Sequence, residues 1–275
     1  MLKLSRRALL VGALAPALPG VSRAQEDLSR APGDLSRTRG DEIRVISSGG
    51  FTAAYNILAP RFERMTGRTI VSAYGASMGN APDAIPQRLA RGEPADIIIL
   101  ARSALDEFAA RGVVRPDSRV DLAESRIGVA VRAGAPKPDI STVDALRRTL
   151  LDAPSIAYSA SASGVYVSTK LYERLGIAAE VTPKSRRILS ERVAAVVARG
   201  EAEIGFQQIS EIVGVPGAEL VGPLPPEVQQ VTVFSAGVLT NARQPEAAAE
   251  LIRFLASPDA AETVASTGLD PAARR

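Results

Sequence analysis

The chain has 275 residues, with 33 Lys or Arg against 30 Asp or Glu, and it contains no Cys, no His and no Trp. Without Cys there are neither disulfides nor thiolate metal sites. Without His the commonest general base and the commonest transition-metal ligand are both missing, and no clustered basic stripe marks a nucleic-acid surface.

The first residues are Lys3, Arg6 and Arg7, followed by an apolar run from Ala8 to Leu18 that Gly12 and Pro16 interrupt. Val21-Ser22-Arg23-Ala24 offers small residues at positions −3 and −1 of a cleavage site, so residues 1–24 read as a secretory signal peptide. Ser5-Arg6-Arg7-Ala8-Leu9-Leu10 also fits a twin-arginine export signal, although an ordinary signal with two arginines gives the same string. The apolar run is too short to span a bilayer, and no later segment reaches ~18 uninterrupted apolar residues. The periplasm is the expected location. Lys3, Arg6, Arg7 and Arg23 leave with the signal and no acidic residue does, so the mature chain is close to neutral. About 250 mature residues can bury a large core, as one domain or two. Residues 25–41 are polar, repeat Asp27-Leu28-Ser29-Arg30 as Asp34-Leu35-Ser36-Arg37, and read as a flexible leader.

Order begins with a strand at Ile43–Ile46. Phe51, Tyr55, Leu58, Phe62 and Met65 then fall on one face of a helix that Gly67 stops. Pro60 inside it predicts a kink or a late start. Thr69–Tyr74 is a strand, Ala84–Arg91 a helix, Ala95–Leu100 a strand buried on both faces, and Ser103 is expected to cap a helix ending near Gly112. The pattern restarts with strands at 127–131 and 155–158, helices at 142–151, 163–175 and 193–199, and strands at 203–206 and 231–239. Two helices, 245–256 and 259–267, close the chain. Alternating strands and helices predict an α/β protein with mostly parallel sheets. Two such units predict two lobes, residues 42–125 plus 236–275 and residues 126–235, with crossover strands near 126–131 and 228–235 as the hinge. The terminal helices are expected to return to the first lobe.

Four strand-to-helix turns carry residues suited to chemistry. Ligands of open α/β sheets settle at the carboxyl ends of strands, where helix N-termini present free N–H groups to an anion. In Ser47-Ser48-Gly49-Gly50-Phe51-Thr52 the small residues allow close backbone approach, and helix capping by Ser48 or Thr52 explains the same residues equally well. Gly75-Ala76-Ser77-Met78-Gly79 matches the G-x-S-x-G nucleophile elbow, but without His there is no triad. No S-x-x-K supports a Ser–Lys dyad through Lys137, Lys170 or Lys184, so Ser77 is read as an anion-binding hydroxyl. Ser159, Ser161 and Ser163 stand at alternate positions before a helix; one cap needs one serine, so the set points to binding. Gln207 and Gln208 follow a buried strand and either donate amide N–H groups to a ligand or bond the hinge. Arg147-Arg148 and Arg186-Arg187 read as solvated faces, with one of Arg186 and Arg187 reaching a cleft as the alternative.

At this point the chain resembles the periplasmic molybdate-binding proteins and their wider class, the type II periplasmic solute-binding proteins. Phe51-Thr52-Ala53-Ala54, Gly75-Ala76-Ser77, Gly92-Glu93-Pro94-Ala95-Asp96-Ile97, Ser163-Gly164-Val165-Tyr166, Arg199-Gly200-Glu201-Ala202-Glu203-Ile204-Gly205 and Phe254-Leu255-Ala256-Ser257-Pro258 carry the resemblance, in order, between Ile43 and Pro271. It implies two lobes closing on a dehydrated oxyanion held by neutral donors, and delivery to an ABC permease in the inner membrane. The implied ligand positions are Gly50, Ser77, Ser163, the Val193 backbone and Gln208. Three features depart from the family: Gly50 stands where serine is usual, the loop Met78-Gly79-Asn80-Ala81-Pro82 is longer, and Gln208 replaces a tyrosine.

The expectation is a solute-binding protein that captures a molybdate-like or tungstate-like oxyanion, with no catalytic residue, no metal, no cofactor and no enzymatic activity. Its expected ligand-binding residues are Ser48, Gly50, Ser77, Ser161, Ser163, Val193, Gln207 and Gln208. A monomer is expected, since nothing marks an apolar interface patch. The alternatives are the same fold binding a small organic anion such as a carboxylate, an exported serine hydrolase acting through Ser77, and a sensory ligand-binding protein.

Overall fold

The computed structural model describes residues 42–272; the expected signal peptide and the whole expected leader lie outside the described residues. In the first half β1 (Glu42–Ser48), α1 (Gly49–Thr66), β2 (Thr69–Gly75), α2 (Ile85–Ala90), β3 (Ile97–Ala101), α3 (Arg102–Ala110) and β4 (Val120–Ser125) follow one another. The second half contains β5 (Ile127–Arg132), α4 (Val143–Asp152), β6 (Ile156–Ser159) and α5 (Ala162–Tyr166), which passes through a π-helical turn at Val167–Leu171 into α6 (Tyr172–Arg174). It continues with α7 (Ala178–Val181), β7 (Ser185–Ile188), α8 (Val193–Ala198), β8 (Ile204–Gln208), α9 (Ile209–Ile212) and β9 (Ala218–Pro223). β10 (Thr232–Val238), α10 (Pro245–Leu255), α11 (Pro258–Ser266) and β11 (Asp270–Pro271) complete the chain.

The strands form two sheets, ordered β11-β4-β10-β3-β1-β2 and β7-β6-β8-β5-β9. Each has a parallel heart, β3-β1-β2 in one and β7-β6-β8 in the other. The strands at or next to the crossings, β4, β10, β5 and β9, run antiparallel to their neighbours, which makes both sheets mixed. This is the expected two-lobed α/β fold. The chain passes from the first sheet to the second through Arg126 alone and returns over residues 224–231. β10 belongs wholly to the first sheet, so the return is complete at Thr232, ahead of the boundary expected at 235.

Burial explains the patterns. In β3, Ile97 and Ile99 face one core with Phe51, Tyr55, Leu58 and Phe62 of α1 and Leu251 and Leu255 of α10. Ile98 and Leu100 face the other side, with Leu105 and Phe108 of α3. Both faces of the strand are therefore dry, and the run is apolar without alternation. The terminal helices pack on the first sheet. Asp96, just before β3, is buried, and its carboxylate accepts the backbone N–H groups of Arg44 (2.8 Å), Arg243 (2.6 Å) and Gln244 (3.1 Å). That network joins β1 to the start of α10 and gives the Ala95-Asp96-Ile97 signature a structural reason.

Three local expectations are corrected. α1 starts at Gly49 and runs unbroken through Pro60, which sits on the solvent face where its missing N–H bond is cheapest. Met65, expected on the buried stripe, is exposed in the last turn of α1, where Phe62 is the last buried residue. α3 begins at Arg102 after Ala101, so Ser103 lies inside the helix and does not cap it. Arg186 and Arg187 lie in β7, an edge strand whose charged surface positions hid it from pattern reading. Among the described residues, no helix is long and apolar enough to cross a membrane.

Candidate functional site

The parallel strands of both sheets end at one place. Ser48 and Gly49 leave β1, Tyr74 and Gly75 leave β2, Ser159 leaves β6, Ile188 leaves β7, and Gln207 and Gln208 leave β8; all line one cavity of about 310 Å³. Its size lies at the lower end of the ~300–1,000 Å³ usual for small-molecule sites. The first sheet supplies the turn into α1, and the second supplies the turns into α5, α8 and α9.

Local hydrogen bonds set these turns. Thr52 Oγ1 donates to Ser48 O at 2.9 Å, which turns Thr52 back on its own helix and leaves the Ser48 hydroxyl uncommitted. Ser48 Oγ is buried with no partner. Ser159 Oγ and Ser163 Oγ pair at 3.0 Å. Gln208 Nε2 donates to Thr232 Oγ1 at 3.0 Å, and Gln208 Oε1 is buried without a partner. Gln207 Oε1 accepts the Ala194 N–H at 3.3 Å, capping α8. No side-chain bond caps α1 or α5. The cavity is thus lined by the unpartnered Ser48 hydroxyl and free backbone N–H groups, which a ligand with several oxygens would satisfy, and by the Gln208 Oε1 acceptor, which needs a donor.

The wall is joined across the two sheets. Ser210 Oγ donates to Gly50 O at 2.7 Å, the Ser77 N–H donates to Ser161 Oγ at 3.2 Å, and Ser190 Oγ donates to Asp83 Oδ1 at 3.2 Å. The longer loop after Ser77 takes part: a Cβ at Gly79 would lie 3.2 Å from Ala160 O, on the far side of the cleft.

Six of the eight expected ligand-binding residues line the cavity: Ser48, Gly50, Ser161, Ser163, Gln207 and Gln208. Ser77 does not. Its Oγ accepts the Ala101 N–H at 2.9 Å, so it sits behind the wall and ties β3 to the turn. Val193 is fully buried in a core cluster and is also not among the lining residues. Arg186 and Arg187 are exposed and stay outside the cavity, with Arg186 paired to Glu201 at 3.1 Å. Gly50 has a packing reason: the space a side chain would need is filled by the ring of Phe234. Gly50→Ser is therefore expected to cost about 1–3 kcal/mol through overpacking, read as a lower denaturation midpoint.

Arg192 and Glu211 are among the lining residues not singled out from the sequence. Arg192 precedes α8 and is the one cation among the lining residues, beside the carboxylates Asp83, Glu191 and Glu211. Asp83 receives Ser190, and Glu191 is held by Arg199 at 2.9 Å. Glu211 lies in α9, which packs on α1 and β5. Burial raises its pKa to about 7, against the opposing effects of the Arg192 charge, the Gln207 side chain and the Gln208 backbone N–H. The residue opens to solvent only in part, through the cavity it lines.

A carboxyl whose folded pKa exceeds its unfolded value contributes stability that is complete below the unfolded pKa and is lost as pH rises through the folded one. For Glu211 that window runs from about 4.5 to about 7. The wild type is accordingly expected to lose stability relative to Glu211→Gln across this window, by up to about 3 kcal/mol. Melting both proteins from pH 4 to 8 checks it; parallel curves would contradict the burial of the charge.

Residues 43–270 match the family model of bacterial extracellular solute-binding proteins. The chain belongs to that family. It is 49% identical over 229 residues, 83% of its length and 87% of the relative's, to an aconitate isomerase of a Pseudomonas species. It is 24% identical over 237 residues, 82% of its length and 89% of the relative's, to the molybdate-binding protein of Azotobacter vinelandii. The solved periplasmic molybdate-binding protein of that organism superposes with a TM-score of 0.69 at 19% identity, covering 85% of this chain and all of the other. The resemblance to molybdate-binding proteins therefore holds for family and fold. The expectation that the chain is not an enzyme is overturned by its identity to aconitate isomerase. A missing His removes a Ser–His triad, but it does not by itself exclude an enzyme.

Proposed function

We propose that the mature protein is an exported isomerase of aconitate, or of a closely related unsaturated polycarboxylate, built on a solute-binding fold. The observation that carries this reading is the cavity's composition. Hydroxyls, amides and backbone N–H groups from both sheets, with Ser48 Oγ and Gln208 Oε1 unpartnered, line it together with one arginine and one carboxyl poised near neutrality. Several carboxylates spaced along a short acid suit such a distributed set of donors, and 49% identity to an aconitate isomerase supports the same substrate class. The molybdate-like reading is weaker. The relative named for molybdate binding is 24% identical, against 49% for the aconitate isomerase.

Closure of the site over the ligand lowers the local dielectric, so the fixed donors bind strongly and an unfilled donor is costly. Residues 1–24 supply the export signal, and the twin-arginine route is part of the proposal. Binding and delivery to a membrane permease is the second reading, favoured by the fold shared with molybdate-binding proteins.

The test is to incubate the mature protein with trans-aconitate and, separately, with cis-aconitate, following the vinyl protons by NMR. Convergence of both samples on one mixture is the expected result. A rise in melting midpoint with aconitate but no interconversion would leave binding alone, and a rise only with molybdate or tungstate would return the cleft to an oxyanion.

A further inference from the structure

We propose that Glu211 is the proton-transfer residue of this site: its carboxylate removes a hydrogen from the methylene carbon of the bound unsaturated acid and returns it to the far carbon of the allylic unit. The proposal rests on the isomerase reading given above and deepens it.

Two routes invert the geometry of a double bond conjugated to a carboxylate without a redox step. A nucleophile can add reversibly to the double bond, or an allylic proton can be removed and returned. The nucleophile suited to the first route is a thiolate, and the chain has no Cys. A serine would need a base to ionise it, and there is no His. The second route needs one group only. Glu211 takes the methylene proton and becomes the neutral acid, and the C–H electron pair spreads over three carbons and the terminal carboxylate. The conformation held about the former C–C single bond fixes the geometry of the new double bond, so no rotation in the anion is needed. Glu211 then gives the proton to the opposite terminal carbon, the double bond forms on the other side, and the carboxylate is restored. Nothing is consumed.

The geometry singles out this carboxyl. Of the three acidic residues lining the cavity, Asp83 accepts Ser190 and Glu191 is bound by Arg199, whereas Glu211 forms no salt bridge among the described residues. A Cβ at Gly49 would overlap Glu211 Oε1, so the missing side chain at the start of α1 is what admits the carboxylate. It thereby stands at the β1–α1 turn, in a cavity also lined by Ser48 and Gln208, whose Oγ and Oε1 are buried without partners. Gln207, whose Oε1 caps α8, turns its NH2 group to Glu211. The charge acting on Glu211 is that of Arg192, just before α8; Asp83 and Glu191 line the same cavity, and α1 lines it through the uncharged Gly49, Gly50 and Thr52. A base that must be ionised to act and protonated an instant later works best when its affinity for the proton matches the ambient pH.

The experiment compares kcat, KM and aconitate-induced thermal shift for wild type, Glu211→Gln, Glu211→Asp and Gly49→Ala. Loss of a general base costs about 10²–10⁴-fold. Glu211→Gln is expected to lose that much in kcat while still showing the thermal shift. Glu211→Asp is expected to keep part of the rate, and wild-type kcat/KM to rise with pH through about 7. Gly49→Ala keeps the carboxyl but displaces it, so kcat is expected to fall at least tenfold with KM changed by less than about threefold. Should Glu211→Gln fold poorly, Gly49→Ala carries the test alone. An active wild type with an equally active Glu211→Gln overturns the role of Glu211. A wild type that binds aconitate without converting it overturns the isomerase reading itself.

Discussion

Gly164→Ala is expected to lower the melting midpoint by on the order of 10 °C and to empty the second-sheet side of the site. The added Cβ would overlap Ser159 O and come within 2.6 Å of Ser159 C and 2.9 Å of Ser159 N. These are backbone atoms at the end of β6, held in register with β7 and β8, so they cannot move aside as a side-chain tip would. Overpacking a well-packed site costs about 1–3 kcal/mol, and a backbone obstruction belongs at the upper end. For a chain of this size each kcal/mol is worth about 2–4 °C. The damage is also local: the Ser159–Ser163 hydroxyl pair and the start of α5 depend on this close approach. A scanning calorimetry trace with and without aconitate separates the two effects, and a midpoint within about 2 °C of wild type would contradict the packing account.

Arg192→Met is expected to weaken aconitate binding by about 10- to 100-fold. The estimate follows from the loss of charged hydrogen bonds worth about 1.5–3 kcal/mol. Met retains much of the apolar stem, so the fold should survive and the effect should appear in the dissociation constant by titration calorimetry. The same change has a second, independent signature. The Arg192 charge holds the Glu211 pKa down against the larger effect of burial. Without it the carboxylate is less favoured, the pKa rises, and the pH at which turnover reaches half its maximum should move upward. A weaker ligand with an unmoved pH midpoint would place Arg192 on the substrate but away from Glu211.

The joined cleft bears on how a solute-binding fold supports a reaction. Bonds from Ser210 to Gly50, from Ser77 to Ser161 and from Ser190 to Asp83 link the two sheets around the cavity. A reacting group on one sheet is then held at a fixed distance from donors on the other, and proton transfer demands that kind of positioning. Phe234, a residue of β10 in the first sheet, fills the space beside Gly50 and lines the cavity.

Much of this molecule was legible in the sequence. The apolar run at β3, the helical stripe from Phe51 to Phe62 and the glycine stops report burial along one segment, and burial along a segment is written in the periodicity of that segment. The Ser-rich and Gln-rich turns were visible for the same reason, because strand and helix ends are local events. The absence of Cys and His fixed in advance which chemistries were closed. Other features depended on residues distant in the chain. Ser77 carried a motif, but tertiary packing set it behind the wall, bonded to Ala101. Short edge strands such as β7 have too few buried positions to show a period. Glu211 sits in a four-residue helix with no pattern to mark it. Its raised pKa and its access to the cavity come from Gly49, from Arg192 and from the closing of two sheets over one site. Sequence alone determined the layers and the turns; which cavity carboxyl has its pKa raised was decided only by the fold, because a pKa belongs to a group's neighbours in space and those neighbours were distributed along the whole chain.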